Sequence, residues 1–429
     1  MNLLPNKTSL LALLLLVAGV LQSCSDKVVR THTANSPIYQ SKEDWRATDI
    51  QIEGARALQN PGKIYLYDRY LFVNERMRGV HIFDNTNPAN PINLGFLPVL
   101  ANIDMAVNNR VLYLDSYTDL LAFDLTNPAS PRLMSRVEDV FNFNNYGMMP
   151  NYDPNYPASL VDAEKGIVIG WEVKKVTEES NNYYYYPLSS RNDIAVDFTS
   201  SVAIESAFGG STGIGGSMAR FTVFQNHLYI LQEWTLDVFN VSGDPTHVRQ
   251  LSLSRFGETL FPKDGNLFIG TTTGMIIYGL GDPSNPVWLS EFEHFAACDP
   301  VVVEGDRAYV TLSSGNTCAG NVDVLEVIDI SDIRNPVLWA SYPMANPKGL
   351  GIDQDLLFLC DGATGLKVLD KASFTPNSYE PVSFFPGIVT FDVIPYNGTL
   401  IMTAEEGIYQ YDYRDPQNIV QVSHLPVTP

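Results

Sequence analysis

Apolar residues gather in short runs along this chain, and each run is closed by a polar cluster that holds Asn, Asp, Gly or Pro. Gly79-Val80-His81-Ile82-Phe83-Asp84 leads to Asn87-Pro88-Ala89-Asn90-Pro91, and Leu120-Leu121-Ala122-Phe123-Asp124 leads to Asn127-Pro128-Ala129-Ser130-Pro131. The same order returns at Leu236 to Asn240, Met275 to Gly279, Leu325 to Asp329, Leu366 to Asp370 and Ile408 to Asp412. Runs of this length, rich in β-branched and aromatic residues and bounded by turn formers, read as strands. After residue 23 no segment keeps a helical period. Proline lacks an N–H and breaks a ladder, so the Pro residues belong in the turns.

Neighbouring copies lie roughly 40 to 50 residues apart, apart from one gap of 116 between Asp124 and Asn240. That spacing is the size of a four-stranded propeller blade. In the first copy Lys63–Tyr67, Tyr70–Asn74, Val80–Asp84 and Leu94–Leu97 parse as strands a, b, c and d. Asn, Asp and Gly between strands a and b, as at Asp68, Asn108, Gly305 and Asn397, supply the positive φ of tight hairpins. The long gap contains one more a–b pair, Ala158–Asp162 and Ile167–Trp171, followed by an insertion at about 174–217 that ends in a Gly-rich run leading to the next strand a. The fold class is therefore all-β, a β-propeller of four-stranded blades. Counting a–b pairs favours eight blades and allows seven if residues 157–217 are an elaboration. Residues 46–429 form one propeller domain on this reading, with residues 46–53 as a further strand at its junction.

Val324-Leu325-Glu326-Val327-Ile328-Asp329 nearly matches the LVIVD repeat, and the seven copies resemble that repeat over roughly residues 60 to 425. The whole chain is similar to the LVIVD-repeat β-propeller lipoproteins of Bacteroidetes. That resemblance implies a propeller at the cell envelope, in the outer membrane or at the cell surface. It brings no catalytic residues with it.

The N-terminus adds an address. Lys7 precedes an apolar run from Leu10 to Leu21, too short for a resident membrane span, and Leu21-Gln22-Ser23-Cys24 resembles a lipobox. Residues 1–23 are then a lipoprotein signal peptide, Cys24 carries the lipid, and residues 24–45 are a lipid-anchored linker. In an oxidising compartment Cys298 and Cys318 are expected to pair, leaving Cys360 as a buried thiol in the run Leu356 to Cys360. A bridge closing about 20 residues contributes roughly 3 kcal/mol in the chain-entropy model.

Charge excludes one class of partner. With 48 Asp and Glu against 27 Lys and Arg, a formal net charge of −21, the chain lacks the basic surface that nucleic acid requires. The six His show no metal-ligand spacing, no Gly-x-Ser-x-Gly elbow occurs, and the Gly-rich run from Gly209 to Gly216 lacks the Lys of a phosphate loop. No cofactor and no metal site follow from these residues. Acidic residues recur near the ends of strands b, at Glu75, Asp115, Glu172, Glu233, Asp361 and Glu405. Converging on a channel mouth, they would suit a cation such as calcium or paired-carboxylate chemistry on a sugar, although nothing selects either.

Aromatic residues crowd the longest loops, with Phe141, Phe143, Tyr146, Tyr152 and Tyr156 in 139–157 and Tyr183 to Tyr186 in the insertion. In a propeller the d–a and b–c connections emerge on one face, which is where binding groups are expected. The ligand-binding candidates are Tyr146, Tyr152, Trp171 and Trp234, with Glu233 and Glu405 near the channel mouth. The function expected is a non-enzymatic scaffold, attached to the membrane by its lipid, that binds a glycan or an envelope protein. The alternative is a carbohydrate-active hydrolase or lyase using loop carboxylates.

Overall fold

The structure, a computed structural model, describes residues 28–180, 214–217, 219–294, 300–314 and 322–428. Cys24, Cys298, Cys318 and Tyr183 to Tyr186 lie outside these residues. The chain divides into two compact units, one built from residues 46–148 and 214–428, the other from residues 28–45 and 149–180.

The larger unit is a propeller. Among the described residues it holds seven antiparallel blades, spanning residues 61–98, 105–137, 221–252, 257–293, 301–343, 350–385 and 390–426, each with four strands in chain order. From blade 1 to blade 7 the first strand of each blade touches the first strand of the next, and the first strand of blade 1 touches the second strand of blade 7. Their apolar runs are buried on both faces, as the packing of blade on blade requires, and aromatic residues such as Phe72, Phe123, Phe239, Phe268 and Phe358 fill the space between. The ring closes where Leu58 bridges Val427 and the Thr428 N–H donates to the Leu58 carbonyl at 2.8 Å.

Two features of the repeat explain its sequence. The Asp or Asn that ends strand c accepts the N–H two residues on, at Asp84, Asp124, Asn240, Asp329, Asp370 and Asp412. These Asx turns start the c–d connection, so the repeat's final acid is a turn-former. In every blade the pairing of strands c and d also shifts register at the same place, between the residues equivalent to Ile82 and Phe83. A bulge there bends the outer strand and raises its twist.

The axis of the ring is not empty. Ile214–Gly215 adds to the inner edge of blade 1 by pairing with Tyr65 and Leu66. Ser217 then accepts the Leu350 N–H of blade 6 at 2.9 Å and donates to Asp392 of blade 7 at 3.2 Å. The Ala219 carbonyl accepts the Leu260 N–H of blade 4 at 2.9 Å. Contacts with blades 1, 4, 6 and 7 are thus made from one short stretch of chain before blade 3 begins. The Gly-rich run ends inside the propeller, not on its surface.

The smaller unit revises three expectations. Val28–Gln40 is a strand where a linker was expected, and it pairs antiparallel with Ile167–Ser180. Ile167–Trp171 is consequently part of a two-stranded ribbon and not strand b of an eighth blade, which leaves seven. The insertion is displaced as well, since residues 174–180 continue the ribbon. Asn35 fixes the loop beside it: its Nδ2 donates to the carbonyls of Asp153 and Tyr156 at 2.8 Å, and its Oδ1 accepts the Asp153 N–H. Residue 53 bridges Phe96 on the outer strand of blade 1 and Arg46 binds Asp119 of blade 2, so residues 46–53 pass from blade 2 to the edge of blade 1 and are not a strand at the closing junction.

Candidate functional site

Three of the acids that end strands b are anchors for the backbone. Glu75 accepts the N–H groups of Gln59 and Asn60, Asp115 those of Ile103 and Asp104, and Asp361 those of Ala345 and Asn346. In each blade the carboxylate pins two consecutive N–H groups of the loop that leads to its own strand a. Further donors complete each node, with His81 Nε2 3.0 Å from Glu75, Asn102 Nδ2 2.7 Å from Asp115 and Lys367 Nζ 2.7 Å from Asp361. Burial pushes the Glu75 carboxyl up, but the His81 contact and the two backbone N–H groups outweigh it and hold the group below its ordinary range. Asp115 goes the other way. It is buried, and burial pushes it up to about 7 against the lowering pull of its two backbone donors.

A cavity of about 460 Å³ opens between blades 2 and 3, on the face that carries the b–c and d–a connections. Its floor holds Asp104, Asp115 and Arg220. Asp104 forms a buried ion pair with Lys63 and accepts the Arg220 N–H at 2.7 Å. Burial pushes the Arg220 guanidinium down, opposed by Glu258, Asp104, Glu233 and Asp115. One wall is the d–a loop with Phe141 and Phe143; Phe141 stacks on Phe221 at 5.8 Å and Phe143 on Tyr117 at 4.2 Å. The opposite wall is the b–c turn of blade 3, where Glu233 and Trp234 are exposed. Trp234 remains 55% exposed although Phe256 braces it edge-on at 5.8 Å.

The d–a loop is held from behind. Asp119, at the start of strand c of blade 2, has a fully buried side chain that accepts Arg46 Nε at 2.8 Å, Arg46 Nη2 at 2.7 Å, Arg136 Nη1 at 3.0 Å and the Asp139 N–H at 3.0 Å. The Thr118 carbonyl accepts the N–H groups of Val140 and Phe141 at 2.7 and 2.9 Å. Arg46 also reaches Glu138 at 2.6 Å and Asp139 at 3.0 Å. Burial raises the Asp119 carboxyl, yet the Arg46 hydrogen bonds and the other donors leave it below its ordinary range.

The structure brings together only some of the residues expected to bind. Trp234 and Glu233 line the cavity. Tyr146 packs against Phe143 at 5.4 Å and Tyr117 at 6.5 Å, behind the wall. Trp171 is a correction: it is 2% exposed, on the ribbon, with Tyr152 edge-on at 5.5 Å, so both rings serve the packing of the smaller unit. Glu172 lies on the same strand and pairs with Lys174. Glu405 is exposed in blade 7 and does not line this cavity. Sequence reasoning missed Lys63, Asp104 and Arg220. The visible signal was Lys63, a cation inside the apolar run Pro61–Tyr67 that demands a buried counter-charge. Among the described residues no cluster of three or more His, Cys, Asp or Glu side chains is placed to hold a metal ion.

No family model and no curated protein sequence matches the chain. Solved structures do. A protein from Lactobacillus plantarum aligns with a TM-score of 0.51 at 11% identity, over 86% of this chain and 97% of that one. The computationally designed protein Ika8 aligns at 0.50 and 8% identity, over 88% and 91%. PorZ of Porphyromonas gingivalis, a bacterial surface component of the type-IX secretion system, aligns at 0.45 and 12% identity over 88% of this chain but 40% of its own. At such identities the likeness shows the fold alone.

Proposed function

We propose that this protein is a lipid-anchored propeller of the cell envelope, belonging with the LVIVD-repeat lipoproteins, that binds a glycan in the cavity between blades 2 and 3. The observation that carries the reading is Trp234. An indole left open to solvent, braced by Phe256 and set beside amide, carboxylate and guanidinium groups, offers a rigid face for a sugar ring and directional partners for its hydroxyls. The lipobox at Cys24 supports the envelope address. The proposed Cys298–Cys318 bridge fits the same oxidising compartment.

The alternative, a carbohydrate-active enzyme, draws support from Asp115, a buried carboxyl at the cavity floor held near neutrality, as general acids are. One experiment addresses both. The mature protein is screened against oligosaccharides and envelope extracts, with product formation assayed in parallel. Binding without turnover, weakened about thirtyfold by Trp234→Ala (about 2 kcal/mol), is the expected result. Turnover that disappears in Asp115→Asn would favour the enzyme. Binding indifferent to Trp234 would move the site elsewhere.

A further inference from the structure

The aromatic wall of the cavity is a loop, and loops keep their shape only where something fixes them. Residues 138–143 make no ladder of their own. They are fixed at Thr118, at Asp119, by Gln232 Nε2 donating to the Val140 carbonyl at 3.0 Å, by the stacking of Phe141 on Phe221 and Phe143 on Tyr117, and, at their start, through Arg46. Arg46 is unlike the others because it does not belong to blade 2. It is the residue at which the chain passes from the smaller unit into the propeller unit. Its guanidinium meets three carboxylates at once, Asp119 on the blade and Glu138 and Asp139 on the loop. A planar fork with five donors can serve all three, which an ammonium cannot. Its side chain is 18% exposed and that of Asp119 fully buried, so this contact is shielded from water and salt, whereas Glu138 and Asp139 are each 58% exposed and meet it from the solvent side.

Resting on the reading of the cavity as the ligand site, we infer that Arg46 is a positioning residue that clasps the 138–143 wall to blade 2, so that ligand affinity is regulated by whether the start of the propeller unit is seated. When Arg46 withdraws, Glu138 and Asp139 repel each other and Asp119, and the wall bearing Phe141 and Phe143 loses its tie on the solvent side. Trp234 then faces a wall that has moved. Asp119 keeps Arg136 and Thr118, so blade 2 itself remains folded.

The test uses the full mature chain and two readouts: calorimetric affinity for an oligosaccharide that the native protein binds, and amide hydrogen exchange. Arg46→Ala is expected to weaken binding tenfold or more and to speed exchange at Asp139, Val140 and Phe141 by a similar factor. Exchange in blades 4 to 7 should stay at its native rate. Arg46→Lys, which keeps the charge without the fork, is expected to recover part of both. Native affinity and native exchange in Arg46→Ala would overturn the clasp while leaving the cavity as the site. Faster exchange throughout the propeller would overturn it too, by showing a general loss of stability. If the native protein binds no oligosaccharide, the ligand reading fails, and the exchange readout alone still decides whether the clasp exists.

Discussion

A carboxylate at the end of strand b does one of two things in this protein. At Glu75, Asp115 and Asp361 it turns back onto two backbone N–H groups; at Glu233 and Glu405 it faces solvent. The sequence displays all five in equivalent places, yet the choice depends on whether the preceding loop brings its N–H groups within reach. Trp171 and Trp234 make the same point, each lying next to a Glu, one buried within the ribbon and one open in a turn. Asp115 gives a test of what enclosure does. Its folded-state pKa of about 7 lies above the unfolded value of about 3.9, so its contribution to stability is fully present below about pH 4 and is lost as pH rises through 7. Asp115→Asn keeps an oxygen for the Ile103 and Asp104 N–H groups but cannot ionise. In urea unfolding, the variant should gain about 3 kcal/mol on the native protein between pH 5 and pH 7.5. A constant difference across that range would show that Asp115 is ionised throughout.

At the scale of elements the repeat was legible because its parts are local. An apolar strand c, an Asx turn and a proline lie within a dozen residues of one another, and each of the seven copies became a blade. The eighth a–b pair failed for the opposite reason. Ile167–Ser180 found its partner in Val28–Gln40, more than a hundred residues away, and no local pattern announces a pairing of that range. The cavity was legible as aromatic loops on one face, but not its charged floor, which gathers Asp104, Asp115 and Arg220 from separate strands and loops over the buried partner Lys63. Glycine marks a further requirement of the blade. Gly407 opens strand c of blade 7 at a φ of 133°, where a Cβ would come within 2.0 Å of the Leu425 carbonyl oxygen. Strain and clash together should make Gly407→Ala cost about 2 kcal/mol or more. A midpoint of thermal unfolding within a degree of the native value would refute that account.

At the scale of the whole molecule, the lipid anchor proposed at Cys24 and the closed ring of the propeller unit each give a test. Cys24→Ser should release the protein from the membrane fraction; a variant that stays with membranes and carries no lipid would refute the lipobox reading. Within the ring, Ser217 ties the axial segment to blades 6 and 7, and Ser217→Ala strips the buried Leu350 N–H of its acceptor. A buried donor left unmatched costs about 1 to 3 kcal/mol, to be read from denaturant midpoints. That same segment also joins distant parts of the sequence. Its bonds to Leu350 and Asp392 reach across 133 and 175 residues of chain, so neither can form until blades 6 and 7 have been made and brought to it, and Ser217 acts as a rivet between the early and late parts of the propeller.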